Sequence, residues 1–188
     1  ILFDLSGHTD GGHGLATLGY KAAPVQITGI GYMSTSGLKA VDYCLSDHFL
    51  DPLGQGSAYF SEKLLRLSHS HFCYTPFEEL FKSMPDWQPH GTTVFGCFNN
   101  SAKISEEMLR LWRTILERVP GSKLLLKAWK PKSLRKKALS VGYRMEQIEV
   151  RPMTLDYVHE YMDMDIALDT YPYTGGGTTC EALYMGVP

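Results

Sequence analysis

Short apolar runs separated by turn residues dominate the first half of the chain. Glycine, serine and histidine fill Ser6–Gly14, which we interpret as a loop, and Asp47–Tyr59 is a second loop. Runs of branched and aromatic residues of this length predict β-strands. The predicted strands of this half are Ile1–Leu5, Pro24–Tyr32 and Ala40–Leu45, and the apolar segment Glu62–Leu67 is strand-like.

Strands and amphipathic helices alternate in the second half. Ser105 is a predicted helix N-cap. Glu106 and Glu107 follow it at the positive end of that helix, where acidic side chains are stabilising. Apolar residues recur at the i, i+3, i+4 spacing of one helical face, at Met108, Leu111, Trp112, Ile115, Leu116 and Val119, before Pro120-Gly121 ends the helix. Further helices are predicted over Ser133–Ser140, Leu155–Met162 (with Leu155, Val158 and Met162 on one side) and Thr178–Met185. Strands are predicted over Thr92–Phe98, Lys123–Ala128, Ile148–Val150 and the buried segment Ile166–Leu168.

This order of elements predicts an α/β fold with parallel strands and right-handed crossovers. Two prolines and a glycine in 83–91 predict a linker between two lobes. We therefore expect a first lobe over 1–84, a linker over 85–91 and a second lobe over 92–188. Ligands of such sheets bind beyond the carboxyl ends of the strands. The loops after Phe98, Val150 and Leu168 are where binding residues are expected.

The composition excludes several function classes. Hydrophobic residues make up 44% and charged residues 20% of 188 residues, and the net charge is −2. That balance gives no basic field for nucleic acid or an anionic membrane, and no apolar run approaches the roughly 20 residues of a membrane span. The four cysteines are far apart and form no CxxC pair, which favours buried reduced thiols in a cytosolic protein over a zinc site. The chain opens on a strand-like run and stops just after a predicted helix, so we expect the natural protein to extend in both directions.

Two loops of the second half carry candidate binding chemistry. Lys103 lies between a predicted strand and a helix start, where a cation and outward backbone N–H groups suit a phosphate. The alternative is an ordinary surface lysine. In the second loop, Gly175-Gly176-Gly177 lead into Thr178 and Thr179 at a helix start, where hydroxyls and amides could hold a diphosphate. Glu181, one turn further, could accept hydrogen bonds from ribose hydroxyls. The alternative is a flexible turn with a threonine cap, because the segment is neither a Walker loop nor a GxGxxG motif.

Histidines mark two segments of the first half. His8 and His13 could bind a metal, but no matching carboxylate cluster accompanies them, so we favour a hydrogen-bonding loop that faces a cleft between the lobes and expect no metal site. His69 and His71 follow a strand-like segment, and a structural role is the commoner outcome for either.

Taken together, these segments resemble the catalytic region of the O-linked N-acetylglucosamine transferase family, including its bacterial and SPINDLY-type members. The resemblance covers nearly the whole chain and rests on motifs in a fixed order. In the first half these are Asp4-Leu5-Ser6-Gly7-His8-Thr9, Ala23-Pro24-Val25-Gln26, Gly31-Tyr32 with Thr35-Ser36-Gly37, Val41-Asp42-Tyr43, Tyr59-Phe60-Ser61-Glu62-Lys63-Leu64, and Leu67 with His69. In the second half they are Phe98-Asn99-Asn100 with Lys103-Ile104, Asp165-Ile166-Ala167-Leu168-Asp169, and Thr178-Thr179-Cys180-Glu181-Ala182-Leu183 with Gly186-Val187-Pro188.

The resemblance implies a GT-B architecture, with two Rossmann-like lobes that are both incomplete here and the sugar donor in the cleft. It implies inverting, metal-independent transfer of N-acetylglucosamine from UDP-GlcNAc to Ser or Thr hydroxyls of proteins, without a cofactor. Tetratricopeptide repeats that select the acceptor are expected upstream.

The site residues implied by the resemblance come from both halves. Lys103 matches the essential lysine on the diphosphate, where it would stabilise the leaving UDP. The matching donor-binding positions are Asn100 near the nucleotide, Thr178 and Thr179 under the phosphates, Glu181 on the ribose, Gly31 and Tyr32 near the sugar, and Tyr157 where some members place a histidine against uracil. His8 completes the predicted substrate-binding set.

Two departures from the family pattern leave alternatives open. Thr174-Gly175-Gly176 replaces the frequent Asn-Gly-His before the threonines, so Lys103 would carry more of the phosphate charge. The family's His-Pro motif, near the proposed proton acceptor, lies upstream of Ile1, so no catalytic base is assigned. Fucose transfer from GDP-fucose, which SPINDLY-type members can use, is the alternative enzyme. A non-catalytic module that binds nucleotide sugar or protein is the third possibility.

Overall fold

The computed structural model describes residues 1–9, 14–76, 88–155 and 157–188. They divide into two compact units, Ile1–Cys73 and Tyr74–Pro188. The linker predicted over 85–91 falls partly outside the described residues, so the predicted lobe boundary stays a prediction.

The first unit is built on a parallel sheet. Its strands are β1 (Leu2–Asp4), β2 (Gln26–Thr28), β3 (Tyr43–Asp47) and β4 (Lys63–Leu67), which pair in chain order, and helix α1 spans Gly14–Leu18. The predicted strands are confirmed, but three are shorter than predicted and the third is shifted, from Ala40–Leu45 to Tyr43–Asp47. The strand after Pro24 ends early because Gly29 and Ile30 have φ values of 156° and 72°, which an extended strand does not tolerate.

The second unit is also a parallel sheet, with crossovers. Its strands are β5 (Val94–Cys97), β6 (Lys123–Ala128), β7 (Ile148–Pro152) and β8 (Ile166–Ala167), in the order β7-β6-β5-β8. In its described residues the α-helices are α2 (Glu106–Arg118), α3 (Pro131–Ser140) and α4 (Gly177–Tyr184), and 3-10 helices span Ser101–Lys103, Met145–Gln147 and Val158–Asp163. No helix in the described ranges has the length and apolar character needed to cross a membrane. Because β5 pairs with both β6 and β8, the loops after β5 and β8 meet at one edge.

Helix α2 begins as predicted, but its buried face differs by one position. The Ser105 side chain accepts a hydrogen bond from the backbone N–H of Met108 at 3.1 Å. Leu111 is 55% exposed, whereas Leu109 is completely buried. The prediction for Leu111 was wrong. The buried face of α2 is centred on Met108 and Trp112 and includes Leu109, and Leu111 lies at the edge of that face.

The segment before β8 corrects a second prediction. Leu155 is 95% exposed, although it was placed on the apolar side of a helix. The structure instead forms a 3-10 helix over Val158–Asp163, where buried side chains recur every three residues, at Val158, Tyr161 and Met164. Strand β8 is only partly buried, with Ile166 38% exposed. Among the described strands it pairs with β5 alone, and on its other side the Ala167 N–H donates to the Pro188 carbonyl at 2.8 Å.

All four cysteines are free thiols, but the burial predicted for them holds for only two. Cys44 and Cys97 are buried, Cys180 is half-buried and Cys73 is exposed. Burial raises the pKa of Cys44 and of Cys97 to about 12, which keeps both in the unreactive thiol form.

Candidate functional site

The loop after β5 places Lys103 through a short capped turn. The Asn100 side chain accepts a hydrogen bond from the backbone N–H of Ala102 at 3.0 Å, which caps the 3-10 helix Ser101–Lys103. The Asn100 residue itself is exposed. This turn carries Lys103 away from the strand and towards the loop after β8.

The Lys103 side chain is held by that second loop. Its Nζ donates to the backbone carbonyl of Thr174 at 2.9 Å and lies 3.8 Å from the ring centroid of Tyr173. Burial lowers the pKa of Lys103, and the nearby Asp169 carboxylate opposes that shift. A partly desolvated cation interacts more strongly with an anion than one in open water. The side chain is therefore fixed beside the glycine-rich loop rather than free on the surface.

Asp169 and Asn99 join the two strand ends. One Asp169 oxygen, Oδ1, accepts hydrogen bonds from Asn99 Nδ2 at 2.7 Å and from the backbone N–H groups of Thr170 at 2.8 Å and Gly175 at 2.7 Å. The Thr178 hydroxyl donates to Asn99 Oδ1. A Cβ at Gly175 would lie 2.4 Å from the Thr179 hydroxyl and 2.8 Å from Asn99 Oδ1. The close approach of this loop to the site therefore requires glycine.

Glu181 lies in α4, and two tyrosines hold its carboxylate. Tyr157 is the N-cap of the 3-10 helix before β8, and Tyr161 lies within that helix. Tyr157 donates its hydroxyl to one carboxylate oxygen, and Tyr161 donates to the other at 2.9 Å. The Tyr161 hydroxyl also lies 3.2 Å from the backbone carbonyl of Thr178. Burial, then the hydrogen bond and charge of Glu181, raises the pKa of Tyr157, so its hydroxyl remains a donor. The first turn of α4 is thereby fixed from one side by tyrosines and from the other by Asn99.

A cavity of about 80 Å³ opens at these strand ends. Its lining includes the polar residues Asn99, Asp169, Thr178 and Thr179. That volume holds a few water molecules, whereas whole ligand pockets measure roughly 300–1,000 Å³. The second unit therefore supplies a small, largely apolar cavity with a few polar groups, not a complete enclosure for a ligand.

We expect Asp169→Ala to loosen the glycine-rich loop. The change leaves two backbone N–H groups and the Asn99 amide without their acceptor, which costs about 1–3 kcal/mol of local stability. Hydrogen exchange of peptides over 173–180 in the full-length protein measures this as faster exchange. The control, Asp163→Ala, removes a half-exposed carboxylate paired with Arg151 outside the loop. Equal exchange in the wild type and Asp169→Ala contradicts the role assigned to Asp169.

The first unit places the other predicted residues at the ends of β1 and β2. The Gly31 N–H donates to the carbonyls of Leu5 and Gly29, both at 3.0 Å, and the second bond closes a γ-turn around Ile30. A Cβ at Gly31 would lie 2.1 Å from the Leu5 carbonyl oxygen. Tyr32 follows this turn, and its ring packs edge-on against His8 with centroids 5.0 Å apart. Gly31, Tyr32 and His8 therefore form one group.

The structure tests the histidine predictions only where the residues are described. His13 lies outside the described residues. His71 is buried, with its ring Nδ1 2.7 Å from Asp47 Oδ2, which fits the structural role favoured for it. Across the described ranges, no group of three or more His, Cys, Asp or Glu side chains is placed to hold a metal ion.

The predicted site residues thus fall into two groups, one in each unit. Lys103, Asn100, Thr178, Thr179, Glu181 and Tyr157 lie around the ends of β5 and β8, and Gly31, Tyr32 and His8 lie around the ends of β1 and β2. Sequence reasoning missed Asn99, Asp169 and Tyr161. Asn99 and Asp169 each lie two residues after the end of a strand, so the rule that selected Lys103 would also have found them.

Comparisons with known proteins show which family this chain resembles. Residues 1–87 match the sequence profile described as Glycosyl transferase family 41. The chain is 41% identical to the "Probable UDP-N-acetylglucosamine--peptide N-acetylglucosaminyltransferase SPINDLY" of Solanum lycopersicum, over 100% of this chain and 21% of that protein. It is 29% identical to the SEC protein of Arabidopsis thaliana, over 100% of this chain and 20% of that protein. The chain thus spans about a fifth of the length of these relatives.

A solved structure is also similar. A lysine-to-methionine mutant of the Thermobaculum terrenum O-GlcNAc transferase aligns with a TM-score of 0.84 and 37% identity, over 100% of this chain and 36% of that chain. The expected α/β fold of GT-B type, with two incomplete Rossmann-like lobes, is confirmed by this similarity and by the two parallel sheets.

Proposed function

The chain belongs to glycosyl transferase family 41, and on that premise we propose that it is part of an enzyme that moves N-acetylglucosamine from UDP-GlcNAc to Ser and Thr hydroxyls of proteins. The relatives that align over the whole chain bear the name of this activity. We propose further that transfer inverts the sugar and needs neither a metal nor a cofactor. The full-length protein carries tetratricopeptide repeats that bind acceptor proteins and acts in the cytoplasm.

One observation carries the proposal. Lys103 and the first turn of α4 converge at the ends of two paired strands, with the Lys103 Nζ already on the loop that leads to Thr178. In the reaction, the ammonium leaves the Thr174 carbonyl for the diphosphate oxygens, whose negative charge grows as the sugar departs. Thr178 and Thr179 hold the same phosphates from the helix end, where the backbone N–H groups favour an anion.

The nucleoside would lie on the tyrosine side of α4. Each Glu181 oxygen accepts one tyrosine hydroxyl, and a carboxylate has about four lone-pair sites, so Glu181 can still accept from ribose hydroxyls. The Tyr157 ring stacks on the base, and the exposed Asn100 contacts the nucleotide. Gly31, Tyr32 and His8 are the substrate-binding residues proposed for the first unit.

A panel of nucleotides tests the proposed donor. We expect UDP and UDP-GlcNAc to raise the melting temperature of the full-length protein more than GDP and GDP-fucose do, because a ligand that binds only the folded state stabilises it by RT ln(1 + [L]/Kd). Mass spectrometry of co-expressed proteins then measures the mass added to Ser and Thr. If GDP-fucose raises the melting temperature more and fucose is added to Ser or Thr, the donor is GDP-fucose and not UDP-GlcNAc. Binding without any added sugar supports a non-catalytic module.

A further inference from the structure

Glu181 is a half-buried carboxylate whose hydrogen-bond partners are electrically neutral. The hydroxyls of Tyr157 and Tyr161 each donate to one of its oxygens, and no lysine, arginine or histidine of the described ranges forms an ion pair with it. The carboxylate of Glu160, which adjoins Tyr161 in the chain, differs because the Lys127 ammonium pairs with it. Neutral hydroxyls orient the Glu181 carboxylate but do not cancel its charge, so its remaining lone pairs stay strong acceptors.

Tyr161 is the better fixed of the two hydroxyl groups. It is 1% exposed, and its ring packs against the Phe98 ring with centroids 4.9 Å apart. Tyr157 is only half-buried. Val158 and Met164, one turn before and one turn after Tyr161, are equally buried and keep this segment in the core. The Tyr161 hydroxyl therefore has a defined position relative to α4.

A buried ion pair anchors the same 3-10 helix to the sheet. Glu160 accepts hydrogen bonds from the ammonium of Lys127 in β6 and from the Thr154 hydroxyl at 2.9 Å. Consecutive side chains of a 3-10 helix point about 120° apart, because the helix has three residues per turn. Glu160 thus holds the helix on β6, while Tyr161 reaches α4.

The Tyr161 hydroxyl contacts two parts of the proposed nucleotide-sugar site. It lies 2.9 Å from a Glu181 oxygen and 3.2 Å from the backbone carbonyl of Thr178. Burial and the charge of Glu181 raise the pKa of Tyr161, so the hydroxyl keeps its proton and remains a hydrogen-bond donor. The hydroxyl therefore fixes the Glu181 carboxylate relative to the helix turn that carries Thr178.

A carboxylate oriented in this way suits a vicinal diol. The two tyrosines use two of the roughly four lone-pair sites of Glu181, which leaves acceptors for two further hydroxyls. The 2′ and 3′ hydroxyls of a ribose lie on adjacent carbons and can donate to one carboxylate. A site built to hydrogen-bond a hydroxyl rejects an analogue without it, because the buried acceptor is then left unpaired. This rejection requires that the carboxylate cannot turn away to water.

We propose that Tyr161 is a positioning residue that makes the site selective for a nucleotide with an intact ribose diol, an inference that rests on the proposed function. Tyr161 acts through Glu181 and does not itself contact the nucleotide. Without its hydroxyl, the Glu181 carboxylate gains rotational freedom, and affinity falls more for a ribonucleotide than for its deoxy analogue. The ribose contact is the same before and during transfer, so the loss affects KM for the donor and not kcat.

Binding of deoxy analogues to the full-length protein tests this role. The measured quantity is the ribose discrimination, defined as the Kd of 2′-deoxy-UDP or 3′-deoxy-UDP, whichever binds more weakly, divided by the Kd of UDP. We expect about 10- to 100-fold for the wild type, the range for one hydrogen bond to a charged group. Tyr161→Phe removes one oxygen and keeps the ring on Phe98, and we expect it to lower the discrimination at least about fivefold. If GDP is the nucleotide that binds, GDP and its deoxy analogues give the same ratio.

Two further variants separate positioning from stability. Tyr143 is 4% exposed, and its hydroxyl donates to the Leu109 carbonyl at 2.9 Å, so Tyr143→Phe loses a buried tyrosine hydrogen bond outside the site. We expect it to keep the wild-type discrimination. Glu181→Gln replaces one carboxylate oxygen by an amide and should lower the discrimination at least as much as Tyr161→Phe. Adding Tyr161→Phe to Glu181→Gln should lower it no further, because the two residues act as one unit.

The opposite results overturn the assignment of Tyr161. An equal loss of affinity for UDP and its deoxy analogues in Tyr161→Phe leaves the discrimination unchanged and makes the residue structural only. Full discrimination in Glu181→Gln excludes the assignment as well, even if Tyr161→Phe does not fold. A further loss in the double variant shows that Tyr161 does not act through Glu181. A wild type that binds no nucleotide overturns the proposed function too, which distinguishes that failure from an unchanged ratio.

Discussion

Lys103→Ala in the full-length enzyme is expected to lower kcat by at least about 10³-fold while the protein stays folded. Loss of a preorganised cation on a departing phosphate costs about 10²- to 10⁵-fold in enzymes of this chemistry. The effect should lie near the upper part of that range because the histidine that some family members carry before the threonines is replaced here by glycine. Transfer of labelled sugar to an acceptor peptide measures the loss, and circular dichroism checks the fold.

Two further variants show whether the charge itself is responsible. Lys136→Ala removes an exposed lysine from α3 and should keep wild-type activity. Lys103→Arg retains the charge, but a planar guanidinium does not fit the space between the Tyr173 ring and the Thr174 carbonyl in the same way, so we expect partial activity. Full activity of Lys103→Ala would remove Lys103 from the mechanism and leave only the fold assignment.

The position of Lys103 shows how much of the candidate site the sequence predicts. Alternation of strands and helices indicated parallel sheets, and parallel sheets bind ligands at the carboxyl ends of their strands. Lys103 and Thr178 are 75 positions apart, yet both follow elements that pair in the sheet through β5 and β8. Their convergence on one loop was therefore predictable from topology. The first-unit residues Gly31 and Tyr32 came only from the family resemblance, because nothing in their spacing selects them.

Other features depended on local geometry that a pattern does not specify. The hydrogen bonds to Glu181 need Tyr157 and Tyr161 to present their hydroxyls towards the same carboxylate. Tyr157 is the N-cap of a 3-10 helix and Tyr161 lies within that helix, whose start the sequence pattern did not locate. The γ-turn at Ile30 arises because Gly31 bonds both Leu5 and Gly29. Each is a tertiary contact that overrides the local sequence preference.

A charged residue inside a central strand was the least expected feature of the core. Lys127 is 1% exposed within β6, which lies between β5 and β7. Its Nζ donates to the Thr154 hydroxyl at 2.9 Å and to the Glu160 carboxylate, and lies 5.5 Å from the Phe98 ring centroid. A buried cation is tolerated only when its charge is paired in this way.

Lys127→Met is expected to destabilise the second unit by about 3–5 kcal/mol. The methionine fills much of the same space, but the Glu160 carboxylate loses its cation, and breaking one side of a buried pair is costly. Glu160 retains Arg151 at 3.1 Å, which places the effect at the lower end of the range. Hydrogen exchange of the β6 and β7 peptides in the full-length protein gives the local opening free energy.

A second substitution distinguishes lost charge pairing from lost packing. Adding Glu160→Gln to Lys127→Met removes the orphaned charge, and we expect this double variant to recover at least about half of the lost stability, as replaced buried ion pairs often do. Lys123→Met, at the exposed start of the same strand, should change the opening free energy by less than about 0.5 kcal/mol. If Lys127→Met proves as mild as Lys123→Met, the pair contributes little to the fold. If the double variant is no more stable than the single one, packing around the lysine stem, and not its charge, holds β6 to the 3-10 helix.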